Sequence, residues 1–162
     1  MPDRNIRSYL NHHLANSVAG LNALEHLEAA EKGTPMARVL TGLRADSAAD
    51  RRMLEELMAR LKVSENEVEK ATAWLGEKIS RLMLPLSEQK AGPLHLLLTL
   101  EALELGLVGR GAMWLALSAA ARETSELQGP NYEVLIGRAE NQRLRVEKLR
   151  LEAAEKALRP AL

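Results

Sequence analysis

The sequence predicts an all-α protein, a single domain over residues 1–162 built as a bundle of four long helices. Its composition is one reason: Leu and Ala dominate, Val and Ile are scarce, and the chain has two Trp, two Tyr and no Phe. Such usage favours helices over strands. The second reason is periodicity, because four long stretches carry apolar residues at alternating spacings of three and four, the period of one helix face.

The first helix is predicted over residues 6–32. Gly33 follows it, and glycine accepts the left-handed conformation that often ends a helix. The buried stripe is predicted to be Leu10, Leu14, Ser17, Leu21 and Leu24. His12, His13 and Asn16 have spacings that suit a metal, but such polar pairs occur on every solvated helix face, and a solvated face is the interpretation adopted here.

The second helix, over residues 35–61, has two polar residues inside its apolar stripe. Thr34 can cap it and Pro35 suits its first position. The stripe reads Met36, Leu40, Leu43, Ser47, Asp50, Leu54, Leu57 and Leu61. A buried carboxylate costs several kcal/mol unless it is paired. Two interpretations of Asp50 stay open: it lies at the edge of the stripe and reaches water, or it is buried and paired.

A long connection separates the second helix from the third. Ser64 and Glu67 form a capping box that predicts a crossover helix over residues 65–81. Residues 83–92 are then predicted to be loop. A helix of this length can return the chain most of the way along a bundle.

The third helix, over residues 93–124, begins with Leu at nearly every position, so its start is predicted to be deeply buried. Gly106, Gly109 and Gly111 follow within one short stretch. Each glycine costs a helix interior about 1 kcal/mol. The expected compensation is close approach of a neighbouring helix.

The last helix is predicted over residues 131–158, after Gly129 and Pro130. Its buried stripe is predicted to be Leu135, Ala139, Gln142, Val146, Leu149 and Ala153. Leu144, Leu151 and Leu158 form a second apolar row. A helix with two apolar rows is expected to touch a second chain as well as its own bundle.

Charge and composition exclude several classes of function. The chain has 22 basic and 22 acidic residues, so bulk electrostatics attract neither nucleic acid nor an anionic membrane. It has no Cys, hence no disulfide, thiol nucleophile or thiolate metal site. No apolar run is long enough for a membrane helix and no signal peptide is recognised at the N-terminus, so a cytoplasmic location is expected.

Two helical hairpins joined by one long connection form the ferritin-like variant of the four-helix bundle, and the chain resembles the ferritin-like superfamily. In di-metal members the first and third helices each supply a Glu, and the second and fourth each supply Glu-x-x-His. At those levels this chain has Ser47-Ala48-Ala49-Asp50 and Glu140-Asn141-Gln142-Arg143, with Ser17 or Gly20 on the first helix and Gly111 or Trp114 on the third. Only Glu140 matches, so the resemblance implies a degenerate di-metal site.

Residues 9–15, 73–78 and 100–103 also resemble a group of uncharacterised bacterial proteins with this layout. That likeness implies no activity. Asp50 and Arg143 occupy the positions that hold His in the di-metal pattern, and Arg suits a bidentate contact with a carboxylate. The sequence therefore predicts a structural polar seam of Ser47, Asp50 and Arg143, in which an Asp50–Arg143 ion pair fixes the helix register.

Three functions remain open. The first is a non-catalytic interaction or structural protein that acts as a homodimer. The second is a metal-binding or metal-oxidising protein that holds Fe, Mn or Zn in a rearranged site, with candidate ligands Glu101, Glu104, Glu140, His26 and His95. The third is a small-molecule carrier with a pocket opened by the glycines of the third helix and lined by Leu and Trp114. With four His and no Cys, the chain has few side chains suited to nucleophilic catalysis, so an enzyme is not expected.

Overall fold

The computed structural model describes residues 3–63, 69–70, 73, 77 and 92–160. These ranges contain four long helices: α1 (Arg4–Ala30), α2 (Pro35–Arg60), α3 (Pro93–Ala120) and α4 (Tyr132–Ala157). A short 3-10 turn, Ser125–Leu127, connects α3 to α4. The predicted all-α, four-helix architecture is confirmed, whereas the predicted crossover helix over 65–81 falls mostly outside the described residues.

Several helix ends differ from the prediction: α1 begins and ends two residues earlier, and α3 ends at Ala120 and not at residue 124. The predicted capping box of Ser64 and Glu67 lies outside the described residues. Gly33 has a φ of +88° after α1, and Pro35 occupies the first turn of α2. Thr34 is the residue before α2, but its hydroxyl donates to the backbone oxygen of Glu31 at 2.7 Å and does not cap the helix. The side chain of Asn131 accepts a hydrogen bond from the backbone N–H of Val134 and caps α4.

Two apolar clusters fix the directions of the helices. One cluster joins the first half of α1 to the ends of α2 and α3 and the start of α4, through Leu10, Leu14, Leu54, Leu57, Trp114 and Leu135. The other joins the opposite ends of the same helices, through Leu24, Leu27, Leu40, Leu100, Val146 and Leu149. Hence α1 and α4 run in the same direction, and α2 and α3 run in the opposite direction. Within the bundle α1 packs on α3, and α2 packs on α4.

The predicted stripes of α1, α2 and α4 are the buried faces, apart from Met36, which is partly exposed. The start of α3 is different. Leu97 and Leu100 are buried, but Leu94 is 45% exposed. The prediction of deep burial all round was wrong because α3 occupies a corner of the bundle, where only one side of a helix faces the core.

The outward side of α3 carries a row of residues along its whole length, apolar except for Glu101, which we name the α3 outer stripe. Its members are Leu94, Leu98, Glu101, Leu105, Val108, Ala112, Leu115 and Ala119, and all but Leu98 are exposed. The predicted second row of α4 is exposed as well, with Leu144, Leu151 and Leu158 at 49%, 52% and 67%. No described helix combines the length and the apolar character needed to cross a membrane.

Candidate functional site

A layer of polar side chains lies between the two apolar clusters. Asp50 and Ser47 of α2 are 1% and 2% exposed, so the interpretation in which Asp50 reaches water is wrong. The Oδ2 atom of Asp50 accepts hydrogen bonds from Gln142 Nε2 at 2.6 Å and from Arg110 Nη1 at 3.5 Å. Its Oδ1 atom lies 3.1 Å from Arg138 Nη2, an ion pair without hydrogen-bond alignment. Asp50 is therefore buried and paired.

Gln142 of α4 connects the members of this layer and is 1% exposed. Its carbonyl oxygen accepts hydrogen bonds from Arg110 Nη1 at 2.9 Å and from Ser47 Oγ at 3.3 Å, while its amide nitrogen donates to Asp50. A side-chain amide can satisfy donors on one side and a carboxylate on the other. We name Ser47, Asp50, Arg110, Arg138 and Gln142 the polar cluster.

The predicted Asp50–Arg143 ion pair is wrong, because Arg143 faces α3. Its guanidinium contacts Glu104 at 3.2 Å, Glu140 at 2.9 Å and Glu147 at 3.5 Å. Position 143 follows the buried Gln142 directly, so its side chain lies about 100° further round the helix. Arg138, one turn before Gln142, is the arginine of α4 that reaches Asp50. Arg143 is thus no part of the buried polar layer.

Two of the candidate metal ligands are engaged by arginine. Glu104 lies between Arg143 and Arg150, with one carboxylate oxygen on each. Glu140 is exposed, and its hydrogen bonds from Arg143 lower the pKa of its carboxyl. A carboxylate neutralised by arginine is a poor ligand for a cation.

The other three candidates do not form a metal site with one another or with the first two in the described residues. Glu101 is exposed on the α3 outer stripe, and His26 is exposed with Nδ1 3.3 Å from the backbone oxygen of Asn22. His95 is partly buried in the first turn of α3, and its Nδ1 has no partner in the described ranges. Within residues 3–63 and 92–160, no three His, Asp or Glu side chains are placed to hold a metal ion.

A cavity of about 410 Å³ lies against the polar cluster. Its walls are mainly apolar and come from α1, α2 and α3, with Val146 from α4; they include Leu24, Leu43, Leu54, Leu103, Met113 and Trp114. Ser47, Asp50 and Arg110 form a polar wall on one side, and His13, Asn16 and Ser17 line the cavity from α1. The cavity is therefore an apolar space with one charged side.

Glycines leave this space open. Gly20, Gly106 and Gly109 line the cavity, and a Cβ added to any of them would meet no atom within 4 Å. The prediction of close helix approach is thus wrong at Gly106 and Gly109. It holds better at Gly111, where an added Cβ would lie 3.7 Å from Cβ of Ala139.

We expect Gly106→Ala and Gly109→Ala to stabilise the protein, by about 0.5–1 kcal/mol each, since alanine restricts the unfolded chain and suits a helix better. Urea unfolding measures the effect. Gly137→Ala is the matched control, because Gly137 lies on α4 outside the cavity and also has open space. Destabilisation at 106 and 109 with stabilisation at 137 would contradict the open cavity.

Among the cavity-lining residues, Oδ1 of Asp50 accepts no hydrogen bond, and two buried donors have no partner in the described part of the chain. They are the hydroxyl of Ser17, a residue 7% exposed, and the indole N–H of Trp114, a residue 0% exposed. A buried donor without a partner costs about 1–3 kcal/mol. Such groups in a cavity wall indicate a missing hydrogen-bond acceptor.

His13 is neutral at pH 7. Burial, followed by the charge of His12, lowers the pKa of the His13 imidazole to about 4. Its ring packs edge-on against Tyr9, with the centroids 4.6 Å apart. The cavity therefore receives no charge from α1 at neutral pH.

The low pKa of His13 predicts a loss of stability in mild acid. The unfolded chain binds the proton near the ordinary pKa of 6.5 and the folded chain only near 4, so the unfolding free energy falls as the pH drops through that window. Allowing for partial exposure, we expect a loss of about 1–2 kcal/mol. His13→Asn should remove this dependence in urea unfolding measured at several pH values; an unchanged slope would contradict it.

Sequence reasoning missed Arg110, the central cation of the site. Its side chain is 10% exposed, and burial lowers the pKa of its guanidinium. A signal was present: Leu103, Leu107, Arg110, Trp114 and Leu117 follow one another at spacings of four and three, and the other four are buried. The flanking Gly109 and Gly111 instead predicted close approach of a neighbouring helix.

The chain was compared with protein family models, with curated proteins and with solved structures. No family model matches it, no curated protein matches it, and no solved structure matches it. The geometry of the cavity and its polar cluster is therefore the basis for inferring a function.

Proposed function

We propose that this protein binds a small organic molecule in the cavity between α1, α2 and α3. The observation that carries the proposal is the cavity itself, a mainly apolar space of about 410 Å³ that lies between α1, α2 and α3 and opens to solvent near the exposed Leu105. Ligand pockets typically measure about 300–1,000 Å³, are mainly apolar and contain a few fixed polar groups. This cavity has those properties, and the space between bundle helices is a usual place for a ligand.

The walls favour a ligand with an apolar body. Leu103, Met113 and Trp114 offer apolar surface along α3, and the glycines provide room at a cost in helix stability. Each buried CH₂ group contributes about 0.8 kcal/mol to binding. Because the polar cluster is held by several hydrogen bonds, it can orient the polar end of a ligand without rearranging.

Octanol is the first probe, since it has an apolar chain and no charge. We expect it to bind in isothermal titration calorimetry and to shift backbone amide signals of α1 and α3. Gly109→Leu should fill the cavity and abolish this binding. Gly137→Leu adds the same side chain outside the cavity and should leave binding unchanged. Equal binding of octanol by both variants contradicts the proposal.

A ferritin-like arrangement of the bundle is part of this proposal. Its support is the parallel direction of α2 and α3, an arrangement that occurs in ferritin-like bundles. In this proposal the cavity and its polar cluster take the place of the metal centre in the middle of the bundle.

Self-association is a second candidate function, and the α3 outer stripe favours it. Its residues repeat at spacings of four and three, as in helices that pair through a coiled-coil seam. Leu105, Val108 and Leu115 are 73%, 52% and 62% exposed. Apolar rows of this kind mark interaction surfaces, and the same row on a second copy would complement it around a two-fold axis.

Light scattering coupled to size exclusion tests the homodimer. We expect a mass of about twice the 17.9 kDa chain for the wild type. Leu105→Glu with Leu115→Glu should yield monomers. Val134→Glu is the control, because Val134 is 52% exposed on α4 and lies off both rows. A monomeric wild type at the highest soluble concentration contradicts this second function.

A further inference from the structure

The cavity wall offers hydrogen-bond donors in excess of acceptors. The Ser17 hydroxyl and the Trp114 indole N–H are buried and without partners in the described residues. The hydrogen bonds of Arg110 to described residues all run through Nη1, and its Nε and Nη2 donors make none, in a residue that lines the cavity. An indole N–H and a guanidinium can only donate. A ligand that completes this wall must therefore bring acceptor oxygens.

The charges near the cavity leave one positive charge unbalanced. Asp50 is negative, and both Arg110 and Arg138 lie against it. Arg51 also lines the cavity, but its guanidinium is paired with Glu55 at 2.8 Å. Arg138 is 37% exposed and so partly solvated, whereas the side chain of Arg110 is 10% exposed. Because these two arginines share one carboxylate, the buried Arg110 attracts a further negative charge.

No other described carboxylate supplies that charge. Asp46, one turn before Asp50, is paired with Arg145, and Arg138 reaches only its backbone oxygen at 3.5 Å. His13 is the remaining titratable group in the wall, and it is neutral at pH 7. The negative charge that balances Arg110 must therefore come from the ligand.

We propose that the cavity binds an organic monocarboxylate, with its carboxylate on Arg110 and its apolar chain along the Leu and Gly wall of α3. This inference rests on the proposed small-molecule function and names the class of ligand. A planar guanidinium whose Nε–Nη2 edge makes no hydrogen bond to a described residue suits a carboxylate. The Ser17 hydroxyl and the Trp114 N–H donate to the same oxygens, and the chain extends toward Gly106 and Leu105 at the outer end of the cavity.

A cationic head group is the main chemical alternative. Oδ1 of Asp50 is buried and accepts no hydrogen bond, so an ammonium group would find one acceptor there. It would, however, lie beside two guanidinium groups that already neutralise this carboxylate. The observations favour the anion, and an amine probe decides between the two.

The experiment compares octanoate, octanol and octylamine on the wild-type protein by isothermal titration calorimetry at neutral pH. We expect octanoate to bind about ten-fold or more tightly than octanol, because hydrogen bonds to a charged group are the stronger ones. Arg110→Met should reduce octanoate to the affinity of octanol while octanol itself still binds. Ser17→Ala, a milder change, should weaken octanoate more than octanol.

Each outcome is decisive. If octanol binds and octanoate binds no better, the carboxylate inference is overturned and the small-molecule function stands. Tightest binding of octylamine overturns it in favour of Asp50 as the recognition group. If none of the three binds, the proposed function itself fails. Should Arg110→Met not fold, Arg110→Lys keeps the charge without the fork, and an undiminished preference for octanoate would contradict bidentate recognition.

Discussion

Replacing Asp50 by Ala is expected to lower the unfolding free energy by about 3–5 kcal/mol, the usual cost of breaking a buried ion pair from one side. The side chain of Arg110 is 10% exposed, and its guanidinium would lose the carboxylate of Asp50. The amide nitrogen of Gln142, 1% exposed, would lose its acceptor at 2.6 Å. Urea unfolding followed by circular dichroism measures the loss.

Asp46→Ala is the matched control for this prediction. Asp46 also lies on α2 and also pairs with an arginine of α4, but its side chain is 42% exposed. An exposed pair contributes only about 0–1 kcal/mol. Equal costs for Asp46→Ala and Asp50→Ala would show that burial does not strengthen the Asp50 pair.

The double variant Asp50→Ala with Arg110→Met tests the coupling directly. Removing both charges takes away the buried guanidinium that Asp50→Ala alone would leave unpaired, so the double variant should be more stable than the two single costs added together predict. We expect a coupling of about 1–3 kcal/mol between the two positions. Simple additivity would mean that Arg110 is balanced by some other group.

Trp114→Ala is the second large effect, with an expected cost of about 3–5 kcal/mol. Trp114 is 0% exposed and packs with Leu10, Leu57 and Leu135 in the first apolar cluster. Its removal would also enlarge the cavity that it lines. Gly106 and Gly109 already leave open space on α3, so no side chain at these positions can replace the lost contacts.

Trp114→Phe separates packing from hydrogen bonding at this position. The indole N–H has no partner among the described residues, so its loss removes no hydrogen bond and the cost should stay below about 1.5 kcal/mol. Leu115→Ala, at an adjacent residue 62% exposed, should change stability by no more than about 0.5 kcal/mol. A large cost for the Phe variant would reveal a partner for the N–H.

Periodicity identified the buried face of α1, α2 and α4, including the two polar residues on α2. It could do so because the helix period alone determines which residues share a face, so the buried face is recognised without knowing the neighbouring helices. The partner of Asp50 could not be identified in the same way. Whether Arg138 or Arg143 reaches α2 depends on how far α4 is rotated about its axis, and the flanking sequence does not specify that angle. Arg110 was predictable from the spacing of α3, had the stripe been extended through it.

The glycines show a different limit. The sequence shows that three glycines weaken α3, and physical chemistry gives the cost, but the compensation depends on side chains of other helices. Gly111 lies against Ala139 of α4, whereas Gly106 and Gly109 lie at an empty space. Those two situations look identical along α3 itself. The exposed start of α3 has the same origin, since its apolar residues cannot show which side a bundle covers.

The polar cluster has a consequence for the rate of unfolding. Its hydrogen bonds join residues far apart in the chain: Gln142 and Asp50 are separated by 92 positions, and Ser47 and Gln142 by 95. Contacts within the α1–α2 hairpin, such as Arg44 with Glu28, span only 16. Because long loops close late in folding, the two hairpins should form before this layer assembles. In stopped-flow experiments Asp50→Ala should therefore speed unfolding far more than it slows refolding, so that the buried carboxylate governs the lifetime of the folded state.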